Sequence, residues 1–273
     1  MKKFLLTYFL ISALGFIAQG QESIENPEEL TFENKSEKAL WVEGQEDPYY
    51  LFRAVQADEQ LSDENWKVLV QDLDKRFNKK GADYKLLRKV FEKSHQRLFQ
   101  TYEQHSTFNT MLTAGKYDCV SASAALGLLL DRYGFEFDIV ETDYHVFIRV
   151  NFEGKDIILE STLPVGGMMT APSEVAEYLE SYQPVASATL QAVDKRLGAP
   201  KNELWDNAVF RKVNLKQLAG LQYYNDAISL FNQQEYQYAS AQLQKALELY
   251  NSERIEGLKA LAEDQIQYTA SSK

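Results

Sequence analysis

The chain of 273 residues contains one cysteine, three histidines and six prolines, and each scarcity excludes something. One cysteine cannot close an internal disulfide, so a fold must rest on a packed core. Cys119 with three scattered histidines, His95, His105 and His145, offers no zinc-ligand spacing, and no metal is expected. No phosphate-cradling glycine loop is present, and no cofactor is expected. Basic residues number 29 against 40 acidic ones, a formal charge of −11. That balance argues against nucleic acid or an anionic membrane surface as partner.

What is present begins with a leader pattern. Lys2 and Lys3 precede an apolar run from Phe4 to Ala18, followed by the small-residue pattern Ala18-Gln19-Gly20. This is the layout of a secretory signal peptide over residues 1–20, too short for a stable membrane span. An exported protein, periplasmic or extracellular, is expected, with no stable membrane insertion after cleavage. With 45% hydrophobic and 12% aromatic residues, the remaining chain can fill a sizeable core.

Residues 21–60 are rich in Glu, Asn and Gln without a sustained period and read as an extended N-terminal arm with short local structure at Ala39-Leu40-Trp41-Val42 and Tyr49 to Phe52, whose aromatics dock it on the domain. Helical spacing starts at Ser62 and stops at Lys79-Lys80-Gly81; a second stripe runs from Tyr84 to Tyr102 and includes His95, read as a packed core histidine. Asp118 is a candidate N-cap for a helix over Val120–Leu130 that is apolar on most of its circumference and therefore buried. Strand patterns follow at Glu136–Glu141, Tyr144–Phe152 and Asp156–Glu160, with a turn at Glu153-Gly154-Lys155. Helices followed by an antiparallel sheet make the fold class α+β. A short helix is expected over Ser173–Tyr182, and residues 183–215 carry no clear period.

Tyr223, Ala227, Leu230, Tyr236, Ala239, Leu243, Ala246 and Leu247 resemble the small and large spacing of one tetratricopeptide-type helical hairpin. A helical region over residues 216–267 is expected, then a disordered tail over 268–273. One copy cannot bury its own faces, so it should lean on the main domain, and it is a candidate surface for a protein partner.

Between Gly115 and Thr162 stand a thiol, an imidazole and a carboxylate: Cys119 at a helix start, His145 in a strand pattern and Glu160 at the end of the next. These are the residue types of a cysteine nucleophile, its base and the group that orients the base. A helix N-terminus favours the thiolate, whereas the Asp118 carboxylate opposes it if it points inward. Centring the turn on Gly154 places Glu160 near residue 148, so a bulge or a shifted turn is needed to bring it to His145. The Cys119 backbone N–H is a natural oxyanion donor, with Tyr117 or Asn109 as candidates for the second.

The segments GKYDCVSASAAL, YHVFIRV and ILEST resemble the bacterial transglutaminase-like superfamily, a branch of the papain-like cysteine-nucleophile fold. The resemblance spans about Phe108 to Pro164 within a domain expected over residues 61–215. It implies a papain-like core with Cys119 as nucleophile, His145 as base and Glu160 where the family usually has aspartate. The activity implied is that of an exported cysteine-dependent enzyme acting on amide bonds of a protein or peptide substrate. Water as acceptor makes it a peptidase or amidase, and an amine makes it a transglutaminase. The alternative is a catalytically inactive transglutaminase-like scaffold that binds protein partners.

Overall fold

Asn34 and Asp47 start two helices in the stretch expected to be an extended arm. The computed structural model describes residues 30–182 and 210–271. The expected leader, and the weakly patterned stretch containing Pro184, Pro200 and Trp205, lie outside the described residues. Helix α1 (Lys35–Glu43) begins where the Asn34 side chain accepts from the Glu37 N–H at 2.8 Å, and α2 (Pro48–Ala54) where Asp47 accepts from Tyr49 N–H at 3.0 Å. The short local structure expected at Ala39–Val42 and Tyr49–Phe52 is thus two helices rather than part of an extended arm, because capping and Pro48 at the first helical turn overcome a weak apolar period.

Helix α3 (Glu64–Lys80) stops at Gly81 as its pattern indicates. Helix α4 (Tyr84–Arg97) ends earlier than its apolar stripe. The chain then forms β1 (Thr101–Tyr102), paired in parallel with β2 (Lys116–Tyr117) across helix α5 (Phe108–Ala114). Gly115 ends α5 in the left-handed region at φ 69, and its carbonyl accepts from the Gln100 and Thr101 N–H groups. Tyr102 therefore belongs to a strand rather than to the helix.

The central element is α6 (Cys119–Arg132). It opens on a capping box in which Asp118 accepts from the Ser121 N–H and the Ser121 hydroxyl returns to the Asp118 N–H. From Val120 to Gly127 every residue is buried, because small and apolar side chains surround the axis. Against it lies an antiparallel sheet in the order β6-β5-β4-β3-β7. The strands are β3 (Glu136–Thr142), β4 (Val146–Phe152), β5 (Lys155–Leu159), β6 (Met168–Met169) and β7 (Phe210–Val213). Ile139, Ile148, Val150, Ile157 and Leu159 join the main core, while Val140, Phe147 and Ile158 form a second cluster under α7 (Pro172–Tyr182).

Three more helices complete the described chain: α8 (Leu215–Asn232), α9 (Tyr236–Leu249) and α10 (Glu253–Ser271). The α8–α9 hairpin closes tightly at Gly220, where an added Cβ would lie 2.8 Å from Tyr250 Cβ and 3.1 Å from the Ala246 carbonyl. Leu218 and Leu221 from α8 and Ile255 and Ala262 from α10 belong to the same core as α6, so these helices do lean on the sheet-bearing part. The expected disordered tail is helical through Ser271, with the Thr269 and Ser271 hydroxyls bonded back to the Gln265 and Gln267 carbonyls. Among the described residues there are ten helices and two sheets in a mixed α+β arrangement.

Candidate functional site

The β4–β5 turn sets the site. The observed pairing of Phe152 with Lys155 leaves a two-residue loop, Glu153-Gly154, in which φ is 51 and 77. Positive φ at both central positions is the mark of the primed hairpin turn that suits strand twist. The register is thus one residue away from a turn centred on Gly154. A one-residue slip exchanges the faces of a strand, so the shift moves Glu160 from the face of residue 148 to that of Phe147 and His145. No bulge is needed. His145 Nε2 and Glu160 Oε2 lie 2.6 Å apart as diagonal neighbours just past the strand ends.

Glu160 is buried, at 2% exposure. Its Oε1 accepts from the Thr162 N–H at 2.8 Å and the Thr162 hydroxyl at 2.6 Å, and its Oε2 takes the Tyr178 hydroxyl as well as His145. Burial pushes its pKa up, but the bonds from His145, Thr162 and Tyr178 outweigh burial and hold the carboxyl below its usual range. The loop after it folds back on Gly167, whose carbonyl accepts from the Glu160 N–H at 2.7 Å. A Cβ at Gly167 would lie 2.2 Å from the Leu163 carbonyl oxygen and 2.4 Å from that of Glu160. Only glycine fits there.

The His145 imidazole and its backbone are held from three sides. The Thr142 N–H and hydroxyl donate to the His145 carbonyl at 2.8 and 3.1 Å, which fixes the β3–β4 turn. Tyr182 stacks on the imidazole at 5.7 Å and 21°. Helix α7 therefore places two tyrosines one turn apart, Tyr178 on the carboxylate and Tyr182 on the ring. Their spacing is visible in the sequence, but nothing there marks their partners.

Replacing Tyr178 with phenylalanine removes one donor from a buried carboxylate and is expected to cost about 1.5–3 kcal/mol at pH 7. A carboxyl whose folded pKa is depressed contributes stability above its unfolded value, and that contribution disappears as pH falls through the folded value. The gap between wild type and variant should therefore narrow from pH 7 to pH 3 in urea unfolding. An equal gap at both values would refute this account of Glu160.

Cys119 is the first residue of α6 and partly buried. Burial first, and then the neighbouring Asp118 carboxylate, push its thiol up to about 12, against a smaller opposing effect of the Val146 backbone N–H. The expectation that the helix N-terminus would favour a thiolate is thus outweighed. Asp118 does point inward: its Oδ1 accepts from Ser121, and its Oδ2 from Asn225 Nδ2 at 3.1 Å. Cys119 and His145 line one cleft of about 1200 Å³, also walled by Asp118 and Val146. Among the hydrogen bonds of the described residues, none joins the thiol to the imidazole.

The two side chains expected to complete an oxyanion site do not reach the cleft. Asn109 is buried, and its amide N–H groups go to the carbonyls of Arg53 at 2.8 Å and Val55 at 2.9 Å, where they tie α5 to the end of α2. Tyr117 is buried against Phe99 and Tyr102, with ring centroids at 5.1 and 5.8 Å. The residues that do line the cleft upstream of the thiol are Tyr102, Gln104 and His105. Burial first, and then the neighbouring Cys119 and Asp118 groups, push the Tyr102 hydroxyl up to about 12, so it stays protonated in the cleft it shares with Cys119. The early end of α4 is what sends this segment into the cleft, and an apolar stripe running through Tyr102 concealed that.

His95 packs between Phe91 and Phe99 at 4.6 and 5.0 Å, and burial lowers its pKa to about 4, in keeping with a neutral core histidine. No group of three or more His, Cys, Asp or Glu residues able to hold a metal ion occurs among the described residues. No helix among them is long and apolar enough to cross a membrane. Comparison with protein-family models, with curated proteins and with solved structures finds no match to this chain.

Proposed function

We propose that the chain is an exported cysteine-dependent enzyme of the transglutaminase-like, papain-like kind, acting on amide bonds of a protein or peptide. The observation that carries this reading is the 2.6 Å bond between His145 Nε2 and Glu160 Oε2 at the wall of a cleft that Cys119 shares. Bonding through Nε2 leaves Nδ1 as the ring nitrogen available to a reacting group. Export is read from the Met1–Gly20 leader pattern.

With the thiol protonated at rest, attack needs a base. As Cys119 Sγ bonds to the substrate carbonyl carbon, the thiol proton passes to His145. The C–N bond then breaks, and His145 returns the proton to the leaving nitrogen. Water, or an amine in the transfer reaction, attacks the thioester while giving a proton to His145, and the sulfur leaves to recover that proton. Glu160 balances the charge on the imidazolium, and the oxyanion is met by the Cys119 N–H and by the hydroxyl of Tyr102, which lines the same cleft.

The raised thiol pKa favours a second reading, an inactive scaffold that binds protein partners through this cleft or the C-terminal helices. The two are separated by incubating the full chain with glutamine-containing peptides, with and without hydroxylamine. The enzyme reading expects ammonia release, hydroxamate formation, or cleavage detected by mass spectrometry, each abolished in Cys119→Ala. No product with a broad peptide set, or product that persists in Cys119→Ala, would favour the scaffold.

A further inference from the structure

A second part of the same cleft carries a pair of guanidiniums. Glu141, fully buried near the end of β3, sits directly opposite Arg211 on β7 and accepts from Arg211 Nε at 2.8 Å. It also takes an Arg254 terminal nitrogen and the Tyr250 hydroxyl. Two arginines on one buried carboxylate leave one positive charge over. Each guanidinium also lies over a tyrosine ring, Arg211 at 5.0 Å from the Tyr250 centroid and Arg254 at 5.2 Å from that of Tyr224. Stacking and the shared carboxylate hold both forks in fixed orientations.

Two polar atoms there lack partners. Arg254 Nε and Ser252 Oγ are buried without a hydrogen bond, and Ser252 as a residue is 6% exposed. Ser252 directly precedes α10, where a hydroxyl ordinarily caps the first turn, yet it forms no cap bond. Both residues line the cleft that holds Cys119 and His145. A buried donor without a partner is destabilising, and a bound oxygen acceptor relieves that cost.

The geometry points to a carboxylate subsite built from Arg254, Arg211 and Ser252, so that the substrate of the proposed acyl-transfer site is a peptide bearing a carboxylate. This inference rests on the reading of Cys119 and His145 as the reacting pair. Asp118, Asp143, Glu253 and Glu256 line the same cleft. Glu253 lies near enough to Arg211 to raise its pKa. The cleft therefore does not attract polyanions by net charge. It selects through the fork geometry that two guanidinium N–H groups and a hydroxyl offer to one carboxylate.

The test is equilibrium binding to the full chain carrying Cys119→Ala, which needs no turnover. Three probes are compared: acetyl-trialanine as the free acid, the same peptide as its C-terminal amide, and acetyl-Ala-Glu-Ala amide. The expected result is that one carboxylate-bearing probe binds at least about tenfold tighter than the neutral amide, roughly 1.4 kcal/mol. Which probe does so tells a terminal from a side-chain carboxylate. Arg254→Gln should reduce that preference to under about threefold. Arg254→Lys, which keeps a cation beside Glu141 and so protects the fold, should reduce it likewise by removing the fork. Binding of all three probes within about twofold, no binding of any, or a preference that survives in Arg254→Lys would overturn the subsite. Absence of turnover in the wild type would refute the acyl-transfer reading without altering this result.

Discussion

His145→Ala is expected to lower kcat/KM by about 10²- to 10⁴-fold on the peptide that the hydroxamate or cleavage assay identifies, the range that a positioned general base supplies. The reason lies in the protonation of the nucleophile. A thiol held at about 12 by burial and by Asp118 is almost wholly un-ionised at neutral pH, so in the proposed reaction the proton leaves during attack, and His145 is the proposed base because its Nε2 is anchored to Glu160. The same logic concerns labelling. Native Cys119 should react with iodoacetamide more slowly than a free cysteine at pH 7, and more slowly again in His145→Ala. His105 provides the internal control. It lines the same cleft and lies close to Asp118, but it lacks a carboxylate bond to orient it, and His105→Ala should change kcat/KM by less than about tenfold. Equal losses in the two variants would remove the special assignment of His145. Imidazole added to the His145→Ala enzyme should restore part of the rate, which a purely structural role would not allow.

The fold and the site differ in how much of each the sequence makes visible. Helix α6 is legible because its signal is local: Asp118 caps it, and small or apolar side chains fill every face from Val120 onward. Of the three central strands, β4 is legible from alternation, and β3 and β5 are legible as short β-patterned runs. The His145–Glu160 contact is not, because it depends on whether the Glu153-Gly154-Lys155 turn uses two or three residues, and that single step decides which face Glu160 occupies. Helices α1 and α2 show in the sequence only as short local structure, because side-chain caps and one proline specify their extent more than periodicity does. Strand β7 is four residues long, and its role comes from pairing with β3 across about seventy residues of chain. Glu141, Arg211 and Arg254 are similarly remote in sequence, and each taken alone reads as a surface charge. The groups that complete the cleft are thus supplied by tertiary packing, whereas the candidate residues Cys119, His145 and Glu160 stand out by type and order.

Lys245→Met is expected to destabilise the protein by about 3–5 kcal/mol, the cost of leaving a buried carboxylate without its cation. Lys245 and Glu37 are 0% and 1% exposed and bonded at 2.5 Å, in a pocket where the Tyr223 hydroxyl also reaches Glu37 at 3.4 Å and the rings of Phe32 and Tyr223 flank the ammonium. The pair joins α9 to α1, residues 208 apart in the chain. Most of the loss should come from the stranded Glu37 charge rather than from any large net gain of the ion pair. The double variant Glu37→Gln with Lys245→Met should therefore recover at least about 1.5 kcal/mol of it, measured by urea unfolding as a double-mutant cycle. The consequence reaches the cleft. Helix α9 packs against α10, and α10 opens with Arg254 on the cleft wall. Loosening α9 should reduce the carboxylate preference of the Cys119→Ala chain before it unfolds the sheet that holds His145. Destabilisation that the double variant fails to relieve would mean that Lys245 acts through its packed methylenes, and the electrostatic account of this anchor would be wrong.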